Sequence, residues 1–250
     1  MDKIKPDTGA LAKWIAKYKG PYVLSCKLDG VSGMYSTEGD QPKLYTRGNG
    51  IMGQDVSHMI PYLQLPKESG IVIRGEFIIP KDVFEKKYAA DFSNPRNFVA
   101  GVVNQKTVKP DRIRDLDFVA YEVIKPEVKP SEQMNMLTEM DVEVVRFLVE
   151  NSVSNELLSE LLVDWRESYK YEIDGVICCN DQIYDRKRGN PEHAFAFKMV
   201  LGDQVAEAKV VDVIWTASKD GYLKPRVQIE PVVLGGAKIE YATGFNAKFI

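Results

Sequence analysis

The run YVLSCKLDGV, residues 22–31, decides how this chain is read. Residues 22–27 read as a strand, and they deliver Lys27 to its end, two residues before Asp29 and three before Gly30. A strand end is a rigid platform for a nucleophile. The amine must shed its proton to attack, which desolvation and neighbouring cations favour. Alone, Lys-x-Asp-Gly is a short match that an exposed turn lysine also satisfies.

It does not stand alone. Downstream come Arg47-Gly48, Arg74-Gly75-Glu76, Asn94-Pro95-Arg96-Asn97, Glu172-Ile173-Asp174-Gly175 and Ala196-Phe197-Lys198. They supply cations for phosphate and carboxylates for ribose hydroxyls or Mg²⁺, each near the end of a predicted strand or the start of a helix. Any one is weak. Five in order between Lys27 and Lys198 are hard to explain as solvated loops.

Outward from these groups the pattern is mixed. Residues 7–18 read as a short amphipathic helix capped by Asp7 or Thr8 and stopped by Gly20-Pro21. Further strand-like runs occupy 31–36, 43–46 and 71–79, with a helical stretch at 53–63. Residues 81–90 are helix-like, and 116–124 suit a buried strand. In 154–167, Leu157, Leu158, Leu161, Leu162 and Trp165 recur at a helical period. Residues 173–179 and 194–200 are strands. Near Val205 the texture changes: 210–216, 226–233 and 238–241 read as strands separated by Asp220-Gly221 and Gly235-Gly236 turns. That resembles the opening of a small β-barrel, which the chain stops before closing. The expectation is an α+β domain over 1–202 and an incomplete β module over 203–250.

Composition narrows the classes. At 250 residues, one large domain or one plus a fragment is expected, with a core that needs no disulfide or structural metal. Lys+Arg 33 against Asp+Glu 36 gives a net charge of −3, which excludes nucleic-acid binding by a uniformly basic surface. With 28% charged and 44% hydrophobic residues, collagen, coiled coil and full disorder are excluded too. Cys26, Cys178 and Cys179 are odd in number and two are adjacent, so a disulfide framework is not expected and a reducing compartment is. No apolar run approaches the length of a membrane helix, and the first residues carry no secretory pattern. A cytoplasmic, soluble monomer is the default.

Several competing signals are weaker. Gly48-Asn49-Gly50-Ile51-Met52-Gly53 matches GxGxxG, but the acidic residue expected further on falls on Glu76, inside another motif, and alternating βα texture is absent. A kinase reading lacks its catalytic loop, and no GxSxG supports a hydrolase triad. His58 and His193 have no second ligand at metal spacing. The run Arg186-Lys187-Arg188 reads as a solvated loop, with phosphate contact as the minority alternative.

KLDG (27–30), TRGNGIMGQDV (46–56), RGE (74–76), FSNPRNFVAG (92–101), LDFVAY (116–121), EIDGV (172–176) and AFAFK (194–198) occur in family order. From about Trp14 to Asn246 the chain resembles the adenylation domain of the NAD-dependent DNA ligases, within the lysine nucleotidyltransferase superfamily. FSNPRNFVAG is specific to that branch, and residues 210–243 look like the start of the ligase OB domain. The resemblance implies a nucleotidyltransferase fold of antiparallel sheets flanked by helices, followed by a partial OB-type β-barrel.

It also implies roles. Lys27 would attack the α-phosphorus of NAD (or ATP) and carry AMP as a phosphoramide. Asp29 and Glu76 would hold ribose or metal-bound water, and Leu28 would line the nucleotide site. Tyr121 and Ile177 would sandwich the adenine, for which plain core packing of Tyr121 is the competing reading. Arg47, Arg96, Arg166 and Lys198 would surround the phosphates. Asp174 would position Mg²⁺ through water. AMP would then pass to the 5′-phosphate of a nick in double-stranded DNA, whose 3′-hydroxyl releases it, a reaction of repair and replication. The cytoplasm of a bacterium, or of a host cell infected by a virus or phage, is the expected setting.

The departures are specific. Cys179 stands where the family has a lysine, Asn104 replaces an arginine, and Ser25 replaces an adenine-contacting glutamate. They imply a divergent branch, a changed donor or slower self-adenylation. Only 26 residues precede Lys27, too few for the family's domain that captures nicotinamide mononucleotide. With a natural start at Met1, a separate domain or chain supplies it or the donor is ATP; with a trimmed start, NAD remains the expectation. An incomplete OB barrel predicts weak nick sealing by this chain alone. The alternatives are an ATP-dependent DNA or RNA ligase and a degenerate nucleic-acid-binding subunit, the latter opposed by the presence of Lys27, Asp29, Glu76, Asp174 and Lys198.

Overall fold

The chain opens with a short strand, β1 (Asp2–Ile4), and a helix, α1 (Ala10–Lys17), before the alternating run β2 (Tyr22–Leu28). Next come β3 (Val31–Ser36), β4 (Lys43–Thr46) and, after a 3-10 turn at Ser57–Tyr62, β5 (Val72–Ile78). Three helices follow: α2 (Lys81–Lys87), α3 (Pro95–Val103) and α4 (Pro110–Arg114). β6 (Asp117–Lys125), α5 (Pro130–Glu139), β7 (Glu143–Val144), β8 (Phe147–Glu150) and α6 (Asn155–Ser168) lead to β9 (Ile173–Asn180) and β10 (Ala194–Phe197). The last strands are β11 (Val210–Ala217), β12 (Leu223–Leu234) and β13 (Ala237–Thr243). This computed structural model describes residues 1–6, 8–48, 52–105, 109–187, 189–200, 205–234 and 237–250. Asp7, the 49–51 centre of the GxGxxG loop, Arg188, the 202/203 boundary and the Gly235-Gly236 turn lie outside the described residues.

The described chain forms two compact units, Met1–Met199 and Val200–Ile250. In the first, two five-stranded sheets run in the orders β1-β10-β9-β2-β8 and β4-β3-β5-β6-β7. They are not wholly antiparallel as expected: β1 joins β10, and β7 joins β6, in parallel. Both exceptions are short edge strands that no hairpin connects to their neighbours.

Strand alternation sets the two faces of the first sheet. Leu24, Cys26 and Leu28 of β2 point into the core with Val176, Cys178, Phe195 and Phe197. Residues directly opposite in an antiparallel pair share a face. Lys27 lies opposite Gly175, and Ser25 opposite Ile177, so all four line the other, more open face. In the second sheet Phe77 and Phe118 meet edge-on at 5.3 Å on the core side, while Ser32 and Glu76 are opposite each other on the far side.

Helices cover the core sides: α6 lies on β9, α5 on β6, and α3 on β3 and β5. Sequence explains their ends. The Ser154 hydroxyl accepts from the Leu157 N–H at 3.1 Å and starts α6, which buries Leu158, Leu162 and Trp165. Asn94 caps α3 in the same way at 2.8 Å, with Pro95 in the first turn, and Phe98, Val99, Val102 and Val103 are buried. Elsewhere the expectations are corrected. The cap of α1 is Gly9 at φ 66°, a left-handed conformation that glycine adopts cheaply, so the helix begins at Ala10. The only helix in the 53–63 stretch is the 3-10 turn Ser57–Tyr62, which contains Pro61, and α2 ends at Lys87.

The second unit is a three-stranded antiparallel sheet in the order β11-β12-β13. The Arg226 guanidinium sits 3.9 Å over the Tyr241 ring. Among the described residues this sheet is an open meander and closes no barrel.

Candidate active site

Lys27 is the last residue of β2 to pair regularly before the register shifts at Leu28. Its Nζ lies 2.7 Å from Asp174 Oδ1, and Lys198 Nζ lies 2.6 Å from Asp174 Oδ2. One carboxylate thus holds two ammonium groups, at side-chain exposures of 30% for Lys27 and 26% for the other two. Burial pushes the Asp174 carboxyl up, but the hydrogen bonds and charges of Lys198 and Lys27 outweigh it and hold it below the usual carboxylate range. Gly175 makes the arrangement feasible. A Cβ there would stand 2.6 Å from the Phe197 carbonyl oxygen and 3.3 Å from Lys198 Cγ.

The second sheet faces this cluster with Glu76. Its carboxyl is pushed up to about 7, chiefly by burial and against the pull of Lys27, the Gly30 N–H and Arg96. Gly30 has to be a glycine for the same steric reason as Gly175: a Cβ would lie 2.2 Å from the Phe77 carbonyl oxygen and 2.9 Å from Glu76 Cγ. Asp29, whose N–H donates to the Glu172 carbonyl at 3.0 Å, accepts from Arg96 Nη1 at 2.7 Å. Arg96 stands in the first turn of α3, where the capped start of the helix fixes its backbone.

Further along the cleft, the Tyr121 hydroxyl and Ser32 Oγ share a 2.7 Å hydrogen bond, and burial raises the phenol. Ile177 occupies the facing sheet, opposite Ser25 and Ala196. The structure therefore brings together Lys27, Asp29, Glu76, Arg96, Asp174 and Lys198 by direct contact or charge. Arg47 is exposed just after β4, its N–H donating to the Ser32 carbonyl at 3.0 Å. Arg166 lies in the last turn of α6, where its carbonyl accepts from Lys81 Nζ. Leu28 turns its side chain into the core, 7% exposed, and pairs with Ile173 of β9.

Of the departing residues, Asn104 is the C-terminal cap of α3, its Nδ2 donating to the Ala100 carbonyl. Cys179 shares the Ile177 face and its thiol is pushed up to about 12 by burial. Ser32 was not legible as a site residue, because its role depends on a hydrogen bond to a strand 89 positions away. Arg186 of the basic run pairs with Glu122 at 2.6 Å instead of extending into solvent.

The chemistry of this cleft suits an anion. Cations come from β2, α3 and the end of β10, while carboxylates stand between them. Among the described residues no three metal-ligating side chains gather. With both Asp174 oxygens held by lysines, the donor set fits a magnesium ion only at one remove, through water.

A family model for the NAD-dependent DNA ligase adenylation domain matches residues 9–200. Over its whole length the chain is 42% identical to a DNA ligase of Acanthamoeba polyphaga mimivirus, covering 40% of that protein. It is 38% identical, again over its whole length, to putative DNA ligase 205R of Invertebrate iridescent virus 6, covering 43% of it. Across 89% of the chain, identity to DNA ligase 2 of Clostridium acetobutylicum is 31%, over 36% of that protein. The chain thus spans less than half the length of these curated relatives. A solved structure named Pmar-Lig_Pre is similar in fold, with a TM-score of 0.60 at 15% identity over 99% of this chain and 57% of that one.

Proposed function

Because the chain belongs to the NAD-dependent DNA ligase adenylation-domain family, we propose that Lys27 takes AMP from a dinucleotide and that the AMP then passes to a 5′-phosphate at a nick in duplex DNA. The observation that carries this is the pairing of Lys27 and Lys198 on the two oxygens of Asp174, at one end of a cleft whose other wall holds Glu76. Two lysines, an arginine and three carboxylates gathered in one half-buried place suit phosphate chemistry.

Lys27 acts once neutral. The proton leaves to solvent, and Asp174, 2.7 Å away, holds the Nζ in place. The Nζ lone pair forms a bond to the α-phosphorus as the bond from that phosphorus to the bridging oxygen breaks, and nicotinamide mononucleotide leaves (pyrophosphate, if the donor is ATP). Lys198 and Arg96, with Arg47 and Arg166, offset the charge that develops on the phosphoryl oxygens. Tyr121 and Ile177 flank the base, and Asp29 and Glu76 serve the ribose. Asp174 would hold a magnesium ion through water, and the ion would supply counter-charge to the phosphates. The meander β11–β13 supplies the first strands of an OB module for the nucleic acid.

Intact-mass spectrometry tests the reading. With Mg²⁺ and NAD, the protein gains the mass of one AMP and Lys27→Ala gains none. A gain with ATP alone assigns ATP as the donor. No gain with either donor, even when the family's N-terminal domain is added in trans, overturns it.

A further inference from the structure

Both sheets carry polar side chains beyond Tyr121 and Ile177. On the second sheet, Arg74 lies opposite Glu122 and two residues from Glu76, so all three share the cleft face. A register shift between Arg74 and Gly75 leaves Tyr121 unpaired, a bulge that sets Tyr121 and Glu122 side by side. The Glu122 carboxylate is gripped from two directions. Arg74 Nη1 donates to Oε2 at 3.2 Å and Arg186 Nη1 to Oε1 at 2.6 Å, while Arg186 Nη2 reaches the Val123 carbonyl at 3.3 Å.

Arg186 comes from the β9–β10 connection, which belongs to the first sheet. The Arg186–Glu122 pair therefore spans the cleft from one wall to the other. On the first wall Cys179 lies two residues beyond Ile177 on the same face, and the Glu122 charge acts on its thiol. The Glu122 side chain is 25% exposed, so its oxygens are accessible without being fully hydrated.

We infer that Glu122 reads the edge of the donor's base by accepting a hydrogen bond from an exocyclic amino group, and that Arg74 and Arg186 position its carboxylate. This rests on the reading that Tyr121 and Ile177 flank the base. An ionised carboxylate can only accept. It therefore favours a 6-amino purine and rejects a 6-oxo purine, whose oxygen in the same place is also an acceptor.

Calorimetric binding of AMP and of IMP to the full chain reads this edge whether or not Lys27 becomes labelled, so failure here is distinct from failure of AMP transfer. Wild-type protein prefers AMP by about tenfold or more, as expected for a charge-assisted hydrogen bond. Glu122→Gln, whose amide can donate or accept, brings the two affinities within about threefold of each other. Arg186→Ala weakens both nucleotides and leaves AMP preferred, which separates positioning from recognition. An unchanged ratio in Glu122→Gln, or no preference in the wild type, overturns the inference. Circular dichroism checks the fold, and Glu122→Asp, which withdraws the carboxylate by one methylene, gives the same loss of preference if the glutamine variant does not fold.

Discussion

Glu76 is half-buried with a carboxyl that titrates at about 7 rather than near its ordinary 4.5, and that makes stability depend on pH. Between those values the folded chain binds more protons than the unfolded one, so stability falls as pH rises from about 4.5 to about 7 and stays reduced above. Glu76→Gln removes the penalty. In thermal melts it is expected to be more stable than wild type by about 2–3 kcal/mol at pH 8 and equal to it near pH 4, while losing AMP transfer. Asp174 acts in the opposite sense, because its low carboxyl pKa reflects partners that favour its charge. Asp174→Asn leaves two ammonium groups without their shared counter-ion. It is expected to cost about 1–3 kcal/mol in denaturant unfolding and to slow labelling of Lys27 at least a hundredfold.

At the scale of elements, the site depends on strands held close enough that two glycines have no room to become alanines. Gly175→Ala would drive a methyl into the Phe197 carbonyl and part β9 from Lys198, with loss of labelling and about 2 kcal/mol of stability expected. Ser154→Ala, at the start of α6, should cost about 1 kcal/mol in urea unfolding and leave labelling intact. The sequence was informative wherever the signal was local. The α6 apolar period, the β2 and β9 runs, and the charged groups at their ends are all visible in short windows. It was silent on β1, β7 and β8, which exist only because distant strands accept them, and on α5, whose polar, methionine-rich turn pattern is weak. The bulge at Tyr121 was equally hidden, since a register shift belongs to a pair of strands and not to either one. That is why Glu122 and its pairing with Arg186 escaped notice while Lys27 did not.

For the whole molecule, every residue of the Lys27 cluster lies within Met1–Met199. A protein ending at Met199 is therefore expected to label with AMP as completely as the full chain, read by intact mass. A folded fragment that takes no label would show that Val200–Ile250 contributes to the first step. The parallel pairing of β1 with β10 carries a different consequence. The Lys198 N–H donates to the Ile4 carbonyl at 3.0 Å, so the earliest strand is bonded directly beside a lysine nearly two hundred residues later. On a ribosome adding about 5–20 residues per second, β1 must wait on the order of 10–40 s for its neighbour to emerge. The catalytic floor is thus knit last, from the two ends of the domain, and a prematurely terminated nascent chain has no working copy of it.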